Sequence, residues 1–455
     1  MTLEGKRVAI IGMGKSGVSV GKAVRQLGGE PTVFDQRPAD SPLMIEAVDA
    51  LHSADVRAAP GWHGRLDPAE FDLLVVSPGI PCDHPCIADM ADREVIGEVE
   101  FAFRVATDPI VAITGTNGKS TTTVLAWRLL EAAGKKAALC GNIAGSGYAE
   151  MTLTEAAMEG ADVLVAEVSS FQLETVVKFR PFVAAITTIA PDHLDRHASF
   201  EQYRECKLRI FRNMKEGDVV VINVDDVIFK PEELPESVRR VRFSPTGLSP
   251  SNGCTARAVG ALFLSGHELR IDRLPLLGEH NVANVMMAWE IASAILGEPE
   301  QEQLDAMLSA LLTFKGLANR MEPVGERDGV LVVNNSMCTN PSAMIASSRG
   351  LGRSQRLLIG GKRKGLDYSP VGDYLRETDH GAYLFGPDPE GLNEQLRGEW
   401  PVFDTMEQAL DAALQDAKSG EVVILMPGCA SAEPFANFRE RGDAFRARAK
   451  EWVES

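Results

Sequence analysis

The chain has 455 residues, a formal net charge of −18 and a hydrophobic fraction of 45%. This length exceeds what one hydrophobic core supports and predicts about three domains. The acidic balance, with no basic block to offset it, argues against a nucleic-acid partner. No apolar run reaches transmembrane length and no signal-peptide pattern opens the chain, so we expect a cytoplasmic protein without membrane insertion. The seven cysteines form no C-x-x-C pair and are expected to be reduced thiols.

The amino-terminal residues predict a strand, a glycine loop and a helix in succession. A buried strand at 7–11 precedes a helix over about 18–27, and a second strand at 31–34 ends in Asp35. This is a dinucleotide-type fingerprint with an acidic residue that could hold a ribose or base. A βαβ turn whose glycines serve only helix packing is the alternative. The fingerprint loop contains Gly12, Gly14, Ser16 and Gly17.

A phosphate-binding loop follows the apolar run at 109–112. Its glycines let backbone N–H groups point at a phosphate, and Lys119 can reach the terminal oxygens. A hydroxyl of Ser120 or Thr121 can bind magnesium, so we expect the chain to bind ATP. Ile113 stands where the standard spacing has its first glycine, which makes this a shortened variant; an ordinary strand-to-helix turn is the alternative. The loop comprises Gly115, Thr116, Asn117, Gly118, Lys119, Ser120 and Thr121.

Candidate cation ligands follow later strands. Glu167 ends one predicted strand, and His193 and His197 have the i, i+4 spacing of a zinc pair. Beside a phosphate loop, a hard cation with oxygen ligands and one imidazole fits better. For His197 and Asp195 we favour helix capping or salt bridging. Lys207 lies in a stretch that by itself indicates only a solvated helix lysine.

Alternating strand and helix patterns predict three α/β domains with mostly parallel sheets. We expect a Rossmann-like domain at 1–107, a central P-loop mononucleotide-binding domain at 108–312 and a C-terminal Rossmann-like α/β domain at 313–455. In the first domain, a strand at 72–76 leads into a loop where ligands of parallel sheets commonly lie. That loop begins Ser77, Pro78 and Gly79.

Ten short motifs, in this order along the chain, closely resemble those of the Mur ligases of peptidoglycan synthesis. They are GMGKSG, VVSPGIP, ITGTNGKSTTT, GNIAGSG, EVSSFQLE, APDHLDRH, YRECKLRIF, LLGEHNVAN, FKGLANRME and PGCASAEPFANFRERG. The resemblance covers essentially the whole chain, and the joint order of the motifs is far more specific than any one of them. It implies that the glycine fingerprint of the first domain holds a UDP-sugar rather than NAD.

The resemblance also implies roles for individual residues. The UDP-sugar would contact Gly12, Gly14, Ser16, Gly17, Asp35, Ser77, Pro78, Gly79, Asn142, Ser169 and Gln172. ATP would contact the phosphate loop together with Asn281, Asn284, Arg320 and Asn335. The catalytic set would be Lys119, Glu167, His193 and Lys207. Two magnesium ions would be held by Ser120, Glu167, His193 and Lys207, the lysine as a CO2-derived carbamate. The acceptor glutamate would contact Thr339, Lys364, Ser431 and Phe438.

The implied reaction is ATP-dependent addition of glutamate, with D-glutamate favoured, to UDP-N-acetylmuramoyl-L-alanine. The substrate carboxylate attacks the γ-phosphate to give an acyl phosphate, and the incoming amine then displaces phosphate. Both steps concentrate negative charge, which a P-loop lysine and two cations would neutralise. Domain closure would exclude water from the acyl phosphate. We expect a monomer.

The third domain departs from the family pattern at several positions. Asn335 replaces an aspartate expected to contact ribose, and Met337 replaces a lysine expected beside the γ-phosphate. Asn319 stands where a histidine is usual, and Glu433-Pro434 replaces Asp-Gln. Lys362 or Arg363 could supply the missing cation.

These departures leave the acceptor open. A related ligase that adds L-glutamate or another amino acid, or one that acts on a divergent cell-wall precursor, remains an alternative. Folylpolyglutamate synthases share the P-loop arrangement but lack the UDP-binding domain. An NAD-dependent oxidoreductase would leave Lys119, Glu167 and His193 unexplained. A non-catalytic ATP-binding protein would fit the losses at Asn335 and Met337 but not the intact phosphate loop.

Overall fold

In the computed structural model, the described residues are 1–148, 150–193, 196–226, 231–247, 256–258 and 260–455. Asp195 and Cys254 lie outside them. The amino-terminal sheet has five parallel strands, with the first strand between the second and the fourth. The strands are Arg7–Ile11, Glu30–Phe34, Arg57–Ala59, Leu73–Val76 and Glu94–Gly97. The helices are Lys15–Gln26, Pro42–His52, Pro85–Asp89 and Glu98–Val105.

The central sheet has six parallel strands, and the strand that carries the phosphate loop lies inside it. Its strands are Ile110–Thr114, Ala137–Gly141, Val163–Glu167, Val183–Ile186, Val219–Asn223 and Arg239–Phe243. The helices are Lys119–Ala132, Leu153–Glu159, Ser170–Leu173, Phe200–Leu208, His280–Leu296 and Gln301–Leu312, with 3-10 turns at Arg209–Phe211, Pro231–Glu233 and Ile271–Arg273. A small antiparallel sheet contains Ala256–Ala258, Ala261–Leu264 and His267–Arg270.

The last sheet has six strands, of which only the edge strand Glu322–Arg327 is antiparallel to its neighbour. The others are Val330–Asn334, Gln355–Gly360, Gly381–Phe385, Val402–Phe403 and Val422–Gly428. The helices are Pro341–Arg349, Ser369–Arg376, Pro389–Leu396, Met406–Asp416 and Phe438–Glu454. None of the helices in the described part of the chain is both long and apolar enough to cross a membrane.

The predicted fold class is confirmed: α/β layers with parallel sheets, a Rossmann-like first unit and a central sheet that carries the phosphate loop. Hydrophobic clusters cover both faces of the central sheet. The first helix begins at Lys15, three residues earlier than the predicted start, because Gly14 is its extended N-cap. The fingerprint loop of the first domain and the phosphate loop of the central domain each lead directly into a helix at the carboxyl edge of a parallel sheet. Anionic ligands bind at such positions.

Candidate active site

The phosphate loop is fixed by glycines that no other residue could replace without strain. Gly115 and Gly118 have φ values of +148° and +85°. A Cβ atom at Gly118 would lie 2.5 Å from Oδ1 of Asn284, and one at Gly115 would lie 2.0 Å from Oγ1 of Thr187. The loop is therefore held against both the end of the neighbouring strand Val183–Ile186 and the helix His280–Leu296. Left-handed backbone and this close approach account for the glycine spacing.

The loop's other groups are tied to the segment after strand Val183–Ile186. The Thr116 N–H donates to Thr188 O at 2.7 Å, and the Asn117 N–H donates to Thr188 Oγ1 at 2.9 Å. Lys119 Nζ donates to Thr116 O at 2.9 Å, so its ammonium folds back over the loop. Burial lowers the pKa of Lys119, and Arg320 adds to the lowering, while Glu167 and Asp192 oppose it.

Three side chains converge next to this loop: one from the helix after it, one from the end of a neighbouring strand and one from the segment before the last sheet. Ser120 Oγ donates to Glu167 Oε2 at 2.5 Å, and Arg320 Nη2 donates to Ser120 Oγ at 2.8 Å. Arg320 precedes the last sheet, so the C-terminal part of the chain reaches into the phosphate site. A buried carboxylate beside a helix-terminal hydroxyl is an oxygen donor pair suited to a hard cation.

Lys207 lies on the other side of the loop and is 2% exposed. Its Nζ donates to Gly115 O at 2.8 Å and lies 4.7 Å from the centre of the Tyr203 ring. Burial lowers its pKa well below the ordinary value, and the neighbouring ammonium of Lys119 lowers it further. The side chain makes no salt bridge within the described residues, so no carboxylate in direct contact cancels the effect of burial.

Asp192 is a buried site residue that sequence reasoning did not single out. Its Oδ1 accepts the N–H of His193 at 2.9 Å, and Asn340 Nδ2 approaches its Oδ2 at 3.4 Å. The His193 Nε2 atom is 3.8 Å from the same oxygen, and the φ of His193 is +52°. The signal was present, since Asp192 directly precedes the predicted ligand, but an acidic residue in a loop does not by itself reveal burial.

A cavity of about 360 Å³ lies beside the phosphate loop. Asn284 Oδ1 accepts from Thr122 Oγ1 at 3.2 Å, and Asn284 Nδ2 donates to Asn281 Oδ1 at 2.9 Å, which ties the asparagine pair to the loop helix. Asn335 lines the far wall, where its Oδ1 accepts the Met321 N–H at 3.2 Å. The predicted nucleotide-contacting residues that border this cavity are Asn117, Gly118, Thr121, Asn281, Asn284, Arg320 and Asn335.

A second cavity, of about 560 Å³, is lined by both glycine-rich loops of the first domain. Asp35 accepts the Met13 N–H at 2.7 Å, and Arg37 Nε and Nη2 donate to its two oxygens at 2.9 and 2.7 Å. The pKa of Asp35 falls to about 2, because these hydrogen bonds outweigh its burial. The carboxylate oxygens are thus largely occupied, and Arg37 extends this site toward solvent. The predicted residues at this cavity are Gly12, Gly14, Ser16, Asp35, Ser77, Pro78 and Gly79.

Gly17 packs against the backbone of Gly12, which lines this cavity. A Cβ atom at Gly17 would lie 1.8 Å from Gly12 O, so a larger residue would displace the loop. The neighbouring loop is anchored to the central domain by Arg196, another residue the sequence did not single out. Its Nη2 donates to Ile80 O at 3.0 Å and to Glu174 Oε2 at 2.8 Å.

Asn142, Ser169 and Gln172 lie near the strand that ends in Glu167. The N–H of Asn142 donates to Glu167 O at 2.8 Å, and its side chain is exposed. Ser169 and Gln172 form a capping box for the short helix Ser170–Leu173. Gln172 is 5% exposed, and its Oε1 accepts from both N and Oγ of Ser169. A contact between Gln172 and a ligand would therefore compete with the cap.

The four predicted acceptor-site residues lie in loops at the carboxyl edge of the last sheet and at the start of the final helix. Lys364 Nζ donates to Thr339 Oγ1 at 3.1 Å. Ser431 has a buried hydroxyl oxygen without a hydrogen-bond partner in the described part of the chain. The Phe438 ring faces Gly145 of the central domain, where a Cβ would lie 3.1 Å from its Cζ.

One of the replaced residues, Asn319, has a local structural explanation. Asn319 has a φ of +61°, a conformation that asparagine tolerates well, and its Oδ1 accepts from Asn334 Nδ2 at 2.9 Å. Arg363 donates to the carboxylate of Asp388, and Lys362 is exposed. Arg363 is therefore engaged away from the lost lysine, while the exposed Lys362 stays a prediction for the missing cation.

The fold and these sites define a three-part, P-loop nucleotide-binding protein with a second nucleotide-type cavity in its first domain. The Mur ligase middle domain model matches residues 113–292, and the model of the Mur ligase glutamate ligase domain matches residues 319–429. The N-terminal domain model of MurD-like Mur ligases matches residues 6–97. The chain belongs to the Mur ligase family, and its first domain is of the MurD-like type.

Curated relatives align over nearly their whole length. A UDP-N-acetylmuramoylalanine–D-glutamate ligase of Thermoanaerobacter sp. (strain X514) is 35% identical, with 99% of each chain covered. An enzyme of the same name from Koribacter versatilis is 34% identical, with 100% of this chain and 99% of the relative covered.

Solved structures agree on the fold. A pseudomurein peptide ligase type C from Methanothermus fervidus has a TM-score of 0.60 at 18% identity, covering 98% of this chain and 100% of that one. A MurF ligase from Thermotoga maritima in complex with ADP has a TM-score of 0.59 at 15% identity, covering 93% and 96%.

Proposed function

We propose that this protein is an ATP-dependent ligase that joins D-glutamate to the alanine carboxyl of UDP-N-acetylmuramoyl-L-alanine in cytoplasmic peptidoglycan precursor synthesis. The observation that carries the proposal is the convergence of Lys119, Ser120, Glu167 and Arg320 at one phosphate loop. The names of the curated full-length relatives support the choice of substrates. L-glutamate or another amino acid is the alternative acceptor.

The first step is attack of the alanine carboxylate on the γ-phosphate of ATP, which releases ADP and leaves an acyl phosphate. Lys119 and Arg320 place two fixed cations beside the transferred group, where developing charge is neutralised without reorganisation. Ser120 and Glu167 would hold a magnesium ion, whose charge would further offset that of the phosphates. His193 would serve as a further magnesium ligand and is not assigned as a base.

In the second step, the amine of the acceptor attacks the acyl carbon, and inorganic phosphate leaves as the amide forms. Thr339, Lys364 and Ser431 would bind the side-chain carboxylate of the acceptor, because a cation and two hydroxyls form charge-assisted hydrogen bonds with it. Phe438 would close this site against the central domain. Water must be excluded at this stage, since it would hydrolyse the acyl phosphate.

Lys207 is proposed to react with CO2. Its neutral amine nitrogen adds to the carbon of CO2 and loses one proton, which replaces an amine with an anionic carbamate. This supplies the oxygen donor that a second magnesium site beside Asp192 and Glu167 would need. The burial of the amine and the lowered pKa of Lys207 support the proposal, because only the free base reacts.

The UDP group is proposed to bind in the cavity of the first domain, with the diphosphate near the N-terminus of helix Lys15–Gln26. Arg37, which Asp35 holds in place, is a further candidate contact. Ser77, Pro78 and Gly79 would border the sugar side, and Asn142 would lie toward the muramoyl-alanine.

The test is phosphate release and product formation with ATP, magnesium and UDP-N-acetylmuramoyl-L-alanine, offered D- and L-glutamate and a set of neutral and basic amino acids. We expect turnover with D-glutamate and product that contains one added glutamate by mass. Turnover with L-glutamate but not D-glutamate would show that L-glutamate is the acceptor. ATP hydrolysis without any ligated product would contradict the proposal.

A further inference from the structure

One buried cation near the acceptor loops has no counter-ion. The Arg441 side chain lies on the final helix, Phe438–Glu454, and the residue is 1% exposed. Its Nη2 donates to Ser336 O at 2.8 Å, and its Nε donates to Ser336 Oγ at 3.1 Å. Further contacts go to backbone oxygens of Gly360, Cys429 and Ala430. Within the described part of the chain, it forms no ion pair with a carboxylate.

Two other arginines of the same helix show the contrast. Arg446 is paired with Glu322 and Asp443, and Arg448 is paired with Asp411 and Glu451. Burial lowers the pKa of Arg441 to about 10, so it remains a cation at neutral pH. A buried charge without a counter-ion is costly even when it is hydrogen-bonded, and a ligand carboxylate within electrostatic range would offset that cost.

The position of Arg441 fits such a ligand. Its acceptors are Ser336 and Cys429, which follow strands Val330–Asn334 and Val422–Gly428, and Gly360, which ends strand Gln355–Gly360, so they lie where three loops begin. These loops continue to Thr339, Lys364 and Ser431, so one guanidinium ties together all three loops of the proposed acceptor site. Burial raises the pKa of the Cys338 thiol, while Arg441 and Lys364 both oppose this, which places two cations within electrostatic range of one point.

We propose that Arg441 is a positioning and specificity-determining residue for the acceptor, which holds the three loops together and supplies positive charge that selects an amino acid with a side-chain carboxylate. The inference rests on the proposed function. Met337 brings no charge to this loop and Arg363 is paired with Asp388, whereas Arg441 and Lys364 are two cations held among these loops.

The experiment compares D-glutamate with its neutral isostere D-glutamine in wild type, Arg441→Met and Arg441→Lys. Arg448→Met is the matched control, because it makes the same change on the same helix at an arginine already paired with carboxylates. For Arg441→Met we expect the KM for D-glutamate to rise about tenfold, and the preference for glutamate over glutamine to fall similarly. The KM values for ATP and the UDP-sugar should stay within about twofold. Arg441→Lys should keep most of the preference, and Arg448→Met all of it.

An unchanged glutamate preference in Arg441→Met would overturn the inference. So would a parallel rise in the KM values of all three substrates, which is what a merely structural role predicts. If Arg441→Met does not fold, Arg441→Lys decides the question, since loss of the preference despite the retained charge would refute the electrostatic role. Failure of the wild-type protein to ligate any amino acid would instead overturn the proposed function, a result distinct from an effect confined to the variant.

Discussion

Replacing Lys207 with methionine should stabilise the central domain at neutral pH while abolishing ligation. Methionine retains the length of the buried stem and removes the amine, which donates to Gly115 O at 2.8 Å and is 2% exposed as a residue. The lost hydrogen bond costs about 1 kcal/mol. Methionine also avoids the cost of keeping the amine unprotonated in the fold, which is about 1.4 kcal/mol for each pH unit below the unfolded pKa while the pH stays above the folded pKa.

The direction in which the free energy of unfolding changes with pH follows from the pKa of Lys207. The pKa of Lys207 is 10.5 in the unfolded chain and well below that in the fold. Between these two values the unfolded state binds the extra proton, so wild-type stability rises with pH by about 1.4 kcal/mol per unit. The methionine variant lacks this dependence. Its advantage over wild type should therefore shrink as the pH rises from 7 to 9.

Differential scanning calorimetry in metal-free, CO2-free buffer measures this, with Lys178→Met as the control at an exposed lysine. For a domain of this size, 1 kcal/mol corresponds to about 2–4 °C in Tm. A difference in Tm between Lys207→Met and wild type that stays constant or widens from pH 7 to 9 would refute this explanation.

The Lys207→Ala variant should be inactive and should recover part of its activity with acetate or formate, which supply the missing oxygen.

Other substitutions and titrations address the remaining sites. Lys119→Ala should lower kcat by roughly 10³-fold while the protein still folds, because the transferred phosphate loses its nearest cation; near-normal turnover by the soluble variant would reject the P-loop assignment. Arg320→Met should lower kcat about 10²-fold through loss of the cation beside Ser120, and stopped-flow single turnovers should place the defect in phosphoryl transfer. Isothermal titration should show binding of UDP-N-acetylmuramoyl-L-alanine and none of NAD. Binding of NAD without binding of the UDP-sugar would contradict the ligand proposed for the first domain. Met337→Lys should raise catalytic efficiency by adding a cation beside the phosphate site, and steady-state kinetics that show a decrease would mean that the pocket is built around methionine.

The sequence predicted those parts of the fold in which one stretch of chain carries the whole signal. The buried strands before Gly12 and Gly115 are continuous apolar runs, and both glycine loops were located by spacing alone. The antiparallel sheet of Ala256–Ala258, Ala261–Leu264 and His267–Arg270 was missed because its strands are three or four residues long. Such short strands show too little periodicity to stand out.

The site could be predicted only in pieces. Ser120 and Arg320 are 200 positions apart, and nothing in either segment indicates that they are hydrogen-bonded. The saturation of Asp35 combines the backbone N–H of Met13 with the side chain of Arg37, and only the folded loop shows that both donors reach the same carboxylate. Arg441 was overlooked because an arginine in a charged helix looks solvated until its burial is known.

The most direct test of the acyl-phosphate route follows the oxygen atoms of the alanine carboxylate. UDP-N-acetylmuramoyl-L-alanine labelled with ¹⁸O in that carboxylate is incubated with ATP, magnesium, D-glutamate and the enzyme, and the released phosphate is analysed by mass spectrometry. Attack of the carboxylate on the γ-phosphate predicts that one labelled oxygen passes into each phosphate formed. Ligated product accompanied by unlabelled phosphate would contradict the mechanism.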